Sequence, residues 1–504
     1  MKKEKMTRNQ SRLLGKSADY KINMFTKWFS IVIALIFVVL FAFGGRKEVI
    51  NDISQTIYLI IIGGYLAAAV VAHLFCLRIK KHEYGGLQKK TRLLSLIYVI
   101  FGLFGNVFAI LTMLIMLNKE SSLEYKLSYY SAMITTMLLI IATLNIFKEA
   151  TTSTQELGVI ILTALFTLQW ISVYFVGKYS TFTRINEKLK YIAYMNILFT
   201  LSGNILAPLT GAVILVKIRN QNNSRDIMWI SILRRLFRNP TASAGMIFVV
   251  LLLAISLYSF LIFDYSTAVQ NDYSHILEEP SLAYPFGSDE FGRDVFTRII
   301  FGARISLVVG VVSTINPIII GGLLGAVAGY YGKRADNIIM RILDVLYAIP
   351  GILLAIAIVA AFGASTMNLI LALSVGGIPG YARMVRAQVM QLADSEFIEA
   401  SRACGTPSWK IILDDIIPNS LSPVIVRATL SIGGAVLATS SLSYLGLGVQ
   451  PPTPEWGNIL KAGSEYLEFY PHLAIFPGLA IVAVVLAFNF FGDGLRDALD
   501  PKLK

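Results

Sequence analysis

The sequence predicts an all-α, polytopic membrane protein with about 12 transmembrane helices. Three observations predict it. Of 504 residues, 55% are hydrophobic and only 15% charged, where a soluble chain carries roughly 25% charged residues. Mean hydropathy is +0.65. Apolar runs approaching the roughly 20 residues that a hydrocarbon core demands recur along the whole chain. Two cysteines, Cys76 and Cys404, are too few for a disulfide scaffold, and both fall at or near expected cytoplasmic loops. Four scattered histidines propose no metal site.

In chain order, the first apolar runs are Trp28–Phe43, Thr56–Leu77, Leu93–Leu117, Leu127–Phe147, Leu157–Gly177 and Tyr191–Val216. Read as six spans, they put both ends of this block on one side. The segment before the first run has eight Lys/Arg against two acids, and Arg78–Arg92 and Lys217–Arg238 have six against one each. Loops this basic stay in the cytoplasm. One loop disagrees with six spans: Lys178–Lys190 carries net +3 on the expected outer face. Residues 1–239 hold net +18 and residues 240–504 net −5. Because the basic residues sit between apolar runs, they indicate positive-inside loops, a membrane partner and no nucleic acid. The long basic start and the lack of a small-residue cleavage site before Arg46-Lys47 argue against a removable signal peptide.

A polar interval, Asn220–Ser224, followed by Arg234-Arg235 and Arg238-Asn239-Pro240, reads as a cytoplasmic linker. The expected division is therefore an accessory six-span domain at 1–225, a linker at 226–239 and a second six-span domain at 240–504. The second block's spans are Gly245–Phe263, Ser306–Gly329, Leu343–Phe362, Leu369–Ala382, Val424–Leu445 and Leu473–Phe491. Leu369–Ala382 is short, and counts because the basic loop after it must return to the cytoplasm. Pro350, Pro379 and Pro477 lie inside spans, where proline kinks a helix. Loops Asp264–Arg304, at net −4, and Gly446–Pro471, with three acids against one lysine, belong outside. Both termini are then cytoplasmic.

No catalytic constellation emerges. There is no phosphate-cradling Gly-x-x-x-x-Gly-Lys-Ser/Thr loop: Gly332-Lys333 is followed by Arg334, and Gly15-Lys16-Ser17 lacks the upstream glycine. Neither a zinc-binding His-Glu-x-x-His nor a Gly-x-Ser-x-Gly elbow occurs. The chain is expected to be no enzyme, to hold no cofactor, and to receive any ATP energy through a partner.

The informative stretch runs from Asp394 to Pro418. Asp394 or Ser395 caps a short helix whose first turn holds Glu396 and Glu399, favourable at the positive end of its dipole. Gly405 ends that helix as a left-handed cap. Thr406 caps a second helix with Pro407 at its first position, and Pro418 stops it. The unit presents Phe397, Ile398 and Trp409, an apolar face that needs a partner surface.

Glu399-Ala400-Ser401, Gly405 six positions after Glu399, and Ile417-Pro418 resemble the "EAA" loop of ABC importer permeases. The resemblance covers roughly residues 232–504. Tyr284–Arg298, Gly302–Ser306, Gly446–Asn458 and Gly492–Pro501 look like matching segments, in the same order, of the "C" permease of the oligopeptide/dipeptide/nickel family. Ser401 stands at the third EAA position, and Asp414-Asp415 replaces residues that are usually basic or His. The resemblance implies a type I ABC importer permease core in a bacterial plasma membrane, multi-pass. It also implies a heterodimer with a second permease, two ATPase subunits docked on Glu399, Ala400, Ser401, Gly405, Trp409 and Pro418, and an extracytoplasmic substrate-binding protein. Peptide is favoured over nickel because no His-rich or Cys-rich site appears. A stand-alone secondary transporter would not need the docking unit, and a membrane enzyme would need convergent polar residues in the spans. No family resemblance is read in the N-terminal block.

Elsewhere, Arg341 and Asp344, three apart, are expected to pair on one helix face near a span's cytoplasmic end. Gly321, Gly325 and Gly329 are expected to admit a close helix neighbour. Arg383 and Arg386 are expected to reach the cytoplasmic headgroups.

Overall fold

The computed structural model describes residues 52–81, 122–144, 153–180, 185–220, 228–281 and 283–500, with scattered positions between 23 and 38 and between 94 and 112. The expected spans Trp28–Phe43 and Leu93–Leu117, the chain termini and residues 221–227 of the linker lie largely or wholly outside these residues. The secondary structure is helical, and no named strand occurs among the described residues. The chain forms two compact units. One comprises residues 1–123 with 181–183 and 237–241, and the other 124–180, 184–236 and 242–504.

In the first unit, α1 (Asp52–Lys81) fills the second expected span. Its Ala68, Ala72 and Phe75 pack with Tyr98, Phe101 and Ala109, and the Tyr98 hydroxyl donates to Asn23 Oδ1 at 2.6 Å.

The second unit opens with α2 (Leu123–Thr143) and α3 (Ser153–Tyr179). At roughly 1.5 Å per residue each is long enough to cross a bilayer core of about 30 Å. The sequence reading of Tyr191–Val216 as one straight span is corrected here. That segment folds as a helical hairpin, α4 (Leu189–Leu198) and α5 (Leu206–Arg219). The turn between them passes through Gly203 at φ +70°, a left-handed conformation suited to glycine. Its two arms are antiparallel and touching: a Cβ on Gly211 would lie 2.5 Å from the Ala193 carbonyl oxygen. Ten residues of α4 rise only about 15 Å, half a membrane. Polar side chains secure the hairpin tip. Asn204 Nδ2 donates to the Ser131 carbonyl at 2.8 Å, its Oδ1 accepts from Leu206 N–H at 3.2 Å, and Asn196 Nδ2 donates to Ser172 Oγ at 2.8 Å. Irregular backbone at membrane depth needs such internal partners.

α6 (Met228–Leu236) is a short amphipathic helix. It leads into α7 (Pro240–Ile262), the 37-residue α8 (Val295–Tyr331), α9 (Lys333–Ala348) and α10 (Gly351–Phe362). The expected span Leu343–Phe362 is broken rather than straight: α9 and α10 meet at an 84° bend, where Ile349 and Pro350 take extended backbone with ψ 125° and 128°. α11 (Thr366–Ala393) is a full 28-residue helix that runs on through Pro379, so the short apolar run understated it.

The glycine ladder is used as expected. Cβ atoms on Gly321, Gly325 and Gly329 of α8 would lie 2.5, 2.3 and 2.8 Å from the carbonyl oxygens of Ile378, Ala382 and Arg386 on α11. The constant offset means that the two helices run parallel with backbones in contact. The rest of the unit is α12 (Glu396–Ala403), α13 (Ser408–Tyr444), α14 (Trp456–Ser464) and α15 (His472–Leu499). Its main core joins Val249 and Leu252, Val295 and Ile299, Val436, Trp456, and Val484 and Phe488.

Candidate functional site

α11 ends at Ala393 and the chain turns sharply into α12. Ser395 takes the N-cap position with extended backbone, and Ile398 N–H bonds its carbonyl at 3.0 Å. Its hydroxyl turns back to the Leu392 carbonyl rather than capping forward. Glu396 and Glu399 occupy the first turn and Arg402 the last, each the sign that its end of the dipole favours. Gly405 has φ +76°. Around it, Gly405 N–H bonds the Arg402 carbonyl at 2.9 Å and Thr406 N–H the Ser401 carbonyl at 3.1 Å, which satisfies the last carbonyls of the helix. A Cβ on Gly405 would meet nothing within 4 Å. Glycine is required there by backbone conformation, not by crowding.

The second arm differs from the sequence reading. Pro407, not Thr406, holds the cap position, and Pro418 does not stop the helix. Residues Ser408 to Tyr444 form one helix, with a π-helical stretch at Ile411–Ile416 just before Pro418. The wider turn relieves the clash that a proline ring makes with the carbonyl one turn back. The second arm is thus one end of a helix long and apolar enough to cross a membrane.

Burial divides the apolar residues of the unit into two sets. Phe397 is 43% exposed, Trp409 63% and Leu413 48%, whereas Ile398 is fully buried. The expectation that Ile398 faces outward is corrected: it packs with Tyr381, Val385 and Val389 of α11 and with Ile411, Ile412 and Ile416. Glu399 and Ala400 are exposed. Ser401 Oγ donates to Asp415 Oδ2 at 3.1 Å. Two positions at which this chain departs from the EAA pattern therefore bond one another across the turn. Arg402 Nε donates to the Tyr330 hydroxyl at 3.3 Å with its guanidinium 5.0 Å from that ring, which ties α12 to the end of α8. Cys404 is exposed and Cys76 buried, and both are free thiols.

The expected Arg341–Asp344 pair does not form. Asp344 Oδ1 accepts from Arg383 Nη2 at 2.7 Å, and Arg341 Nε donates to Asn337 Oδ1 at 3.0 Å. One turn further, Arg386 Nη2 donates to Asp336 Oδ2 at 2.6 Å. Arg383 and Arg386 thus hold α9 against α11. A neighbouring helix offers a carboxylate at better geometry than three residues along the same face. The signal was available: Asp336 and Asp344 are eight residues apart, on one face of an amphipathic helix.

On the expected outer side, Glu455 is fully buried. Its Oε1 accepts from Ser306 Oγ at 3.0 Å and Ser440 Oγ at 2.9 Å, and its Oε2 from Gly457 N–H at 2.8 Å. Burial raises the Glu455 pKa against the opposing pull of those donors. Trp456 Nε1 donates to the Ile299 carbonyl at 2.9 Å. The Glu455–Asn458 segment thus locks α14 onto α8 and α13. Among the described residues, no three His, Cys, Asp or Glu side chains are grouped to hold a metal.

Residues 321–504 match the family described as the binding-protein-dependent transport system inner membrane component, and residues 228–280 match the N-terminal TM domain of oligopeptide transport permease C. A glutathione transport system permease protein of Pectobacterium atrosepticum is 46% identical over 276 residues, which cover 55% of this chain and 92% of that one. The chain belongs to this family of ABC importer permeases. A dipeptide transport system permease protein of Alkalihalophilus pseudofirmus is 45% identical over 276 residues, 55% of this chain and 90% of its own. Among solved structures, a chain of the inward-facing methionine ABC transporter aligns over 40% of this chain and 96% of its own, with TM-score 0.34 and 22% identity. As an ABC importer permease the protein is an integral membrane component rather than an enzyme.

Proposed function

We propose that the protein is one of two different permease subunits in an ATP-driven importer of small peptides. Two ATPase subunits supply the energy and an extracytoplasmic binding protein supplies the substrate. The observation that carries this reading is the 394–418 unit. It is a short dipole-matched helix, a left-handed glycine and an exposed Phe397–Trp409–Leu413 face, fused without a break to α13. A push on that face by a closing ATPase is transmitted along α13, which is rigid-body switching between two packings. Its apolar anchors and the exposed Glu399, Ala400 and Gly405 make the contact, while Ser401 and Pro418 shape the turn that presents them. The relatives named for dipeptide and glutathione transport support a peptide substrate.

The test is reconstitution. The complete complex in proteoliposomes should take up peptide only with ATP and the binding protein present, and the isolated chain should neither hydrolyse ATP nor transport. Uptake by the isolated chain would instead identify a secondary transporter. The ligand that co-purifies with the binding protein would name the peptide class.

A further inference from the structure

We propose that the end of the α2–α5 bundle at which the hairpin begins and finishes is a docking surface for anionic phospholipid headgroups of the inner leaflet. The surface exists because of the hairpin. Glu124, at the start of α2, accepts from Ser180 Oγ at 3.1 Å and is ion-paired with Lys217, so the start of α2, the end of α3 and the end of α5 share one end of the bundle. Lys178, Lys188, Lys190 and Arg219 are exposed there. A straight sixth span would have put Lys178–Lys190 and Lys217–Arg219 on opposite faces. With both at one face, the loop that violated the charge rule obeys it, and that face is cytoplasmic.

Tyrosines interleave with these cations. Tyr174, Tyr191 and Tyr194 are 61%, 67% and 56% exposed. The ammonium of Lys178 lies 5.8 Å from the Tyr174 ring and 5.5 Å from that of Tyr179, and Lys190 lies 5.2 Å from Tyr191. Amphipathic rings beside long cations are the composition of headgroup depth, and the cytoplasmic leaflet is the anionic one.

Part of this segment, its lysines but not its tyrosines, has a counterpart earlier in the sequence. At a constant offset of 98 residues, Phe101, Leu103, Gly105, Asn106, Ala109, Leu111, Thr112, Leu117 and Lys119 recur as Phe199, Leu201, Gly203, Asn204, Ala207, Leu209, Thr210, Leu215 and Lys217. The described members agree in burial: Phe101 7%, Ala109 0% and Thr112 0% against Phe199 5%, Ala207 0% and Thr210 0%. Lys80 and Lys90 recur as Lys178 and Lys188 at the same offset. The repeat keeps the cationic positions along with the Gly-Asn pair.

The experiment uses the full chain in its assembled complex, in nanodiscs of phosphatidylcholine with or without phosphatidylglycerol, and reads retained lipid by native mass spectrometry. Wild type should retain phosphatidylglycerol. K178Q/K188Q/K190Q should lower retention by about tenfold or more, and the charge-preserving K178R/K188R/K190R should restore it. Equal retention by the glutamine variant, or loss in the arginine variant, would overturn the proposal. So would labelling of Ser180→Cys from outside intact cells, because Ser180 and Asn220 must both be reached only from the cytoplasm.

Discussion

Ile398 and Trp409 lie eleven residues apart in one short unit, and their burial separates two roles. Trp409 is 63% exposed and Ile398 fully buried. Trp409→Ala should leave the permease folded and weaken ATPase binding by about 2 kcal/mol or more, the loss of an exposed aromatic anchor. Ile398→Ala should instead destabilise the cytoplasmic core by about 2–5 kcal/mol. Thermal unfolding of the detergent-solubilised permease pair, set beside ATPase titration, separates the two outcomes. Gly405 yields a second residue-scale prediction. With nothing within 4 Å of an added Cβ and φ at +76°, the cost of a side chain is conformational, roughly 1–2 kcal/mol for most residues. Gly405→Val should therefore uncouple ATP hydrolysis from transport, and Gly405→Asn, which tolerates the left-handed region, should retain most coupling. The glycine and the exposed aromatics were legible in the sequence, because turn chemistry is local. The inward turn of Ile398 and the Ser401–Asp415 bond were not, because both depend on what α8, α11 and α13 bring to the same place.

Helix contacts carry the next level. Gly325 meets α11 so closely that a Cβ would lie 2.3 Å from a backbone oxygen, and backbone cannot yield as a side-chain tip does. Gly325→Leu should force α8 from α11 and abolish assembly, whereas Gly322→Leu, with nothing within 4 Å, should be tolerated. Yield of the intact complex on size exclusion reports both. At the outward lock, Glu455→Gln would turn either an amide N–H₂ toward Gly457 N–H or a single acceptor away from two serines. A loss of about 1–3 kcal/mol is expected from the stranded partner, read as a lower Tm of the complex. The four-residue glycine spacing was readable in advance because it is a property of one helix. The α9–α10 bend and the α4–α5 hairpin were not, since a hydropathy window counts apolar residues and does not see where the chain reverses. The loop Lys178–Lys190 held the missing signal, as its positive charge contradicted a straight crossing.

At the scale of the molecule, the relatives align with 55% of this chain yet 92% and 90% of themselves, so the permease fold is complete without a counterpart of the N-terminal block. Residues 1–225 are accordingly proposed as an accessory module, although residues 124–236 share a compact unit with the permease part. Gly158 of α3 sits against Leu261 of α7, where an added Cβ would lie 2.2 Å from the Leu261 carbonyl oxygen. A chain beginning at Asp226 should still assemble with its permease and ATPase partners, because the α7 surface that its removal would bare, at Ala254, Leu257 and Leu261, is apolar and compatible with lipid. Loss of assembly at every expression level would make the block part of the core. Charge and hydropathy suggested a boundary near residues 226–239, whereas the two compact units divide the chain mainly near residue 123. The block's role was not, because no local pattern names a partner.

The most direct measurement is uptake of labelled dipeptide into proteoliposomes that hold the complete complex, with ATP hydrolysis followed in the same vesicles. If the 394–418 unit transmits ATPase closure to α13, Gly405→Val and Trp409→Ala should each cut uptake per ATP hydrolysed by about tenfold or more, given roughly 1–2 kcal/mol at Gly405 and about 2 kcal/mol or more at Trp409. Wild-type uptake per ATP in both variants would contradict that coupling role.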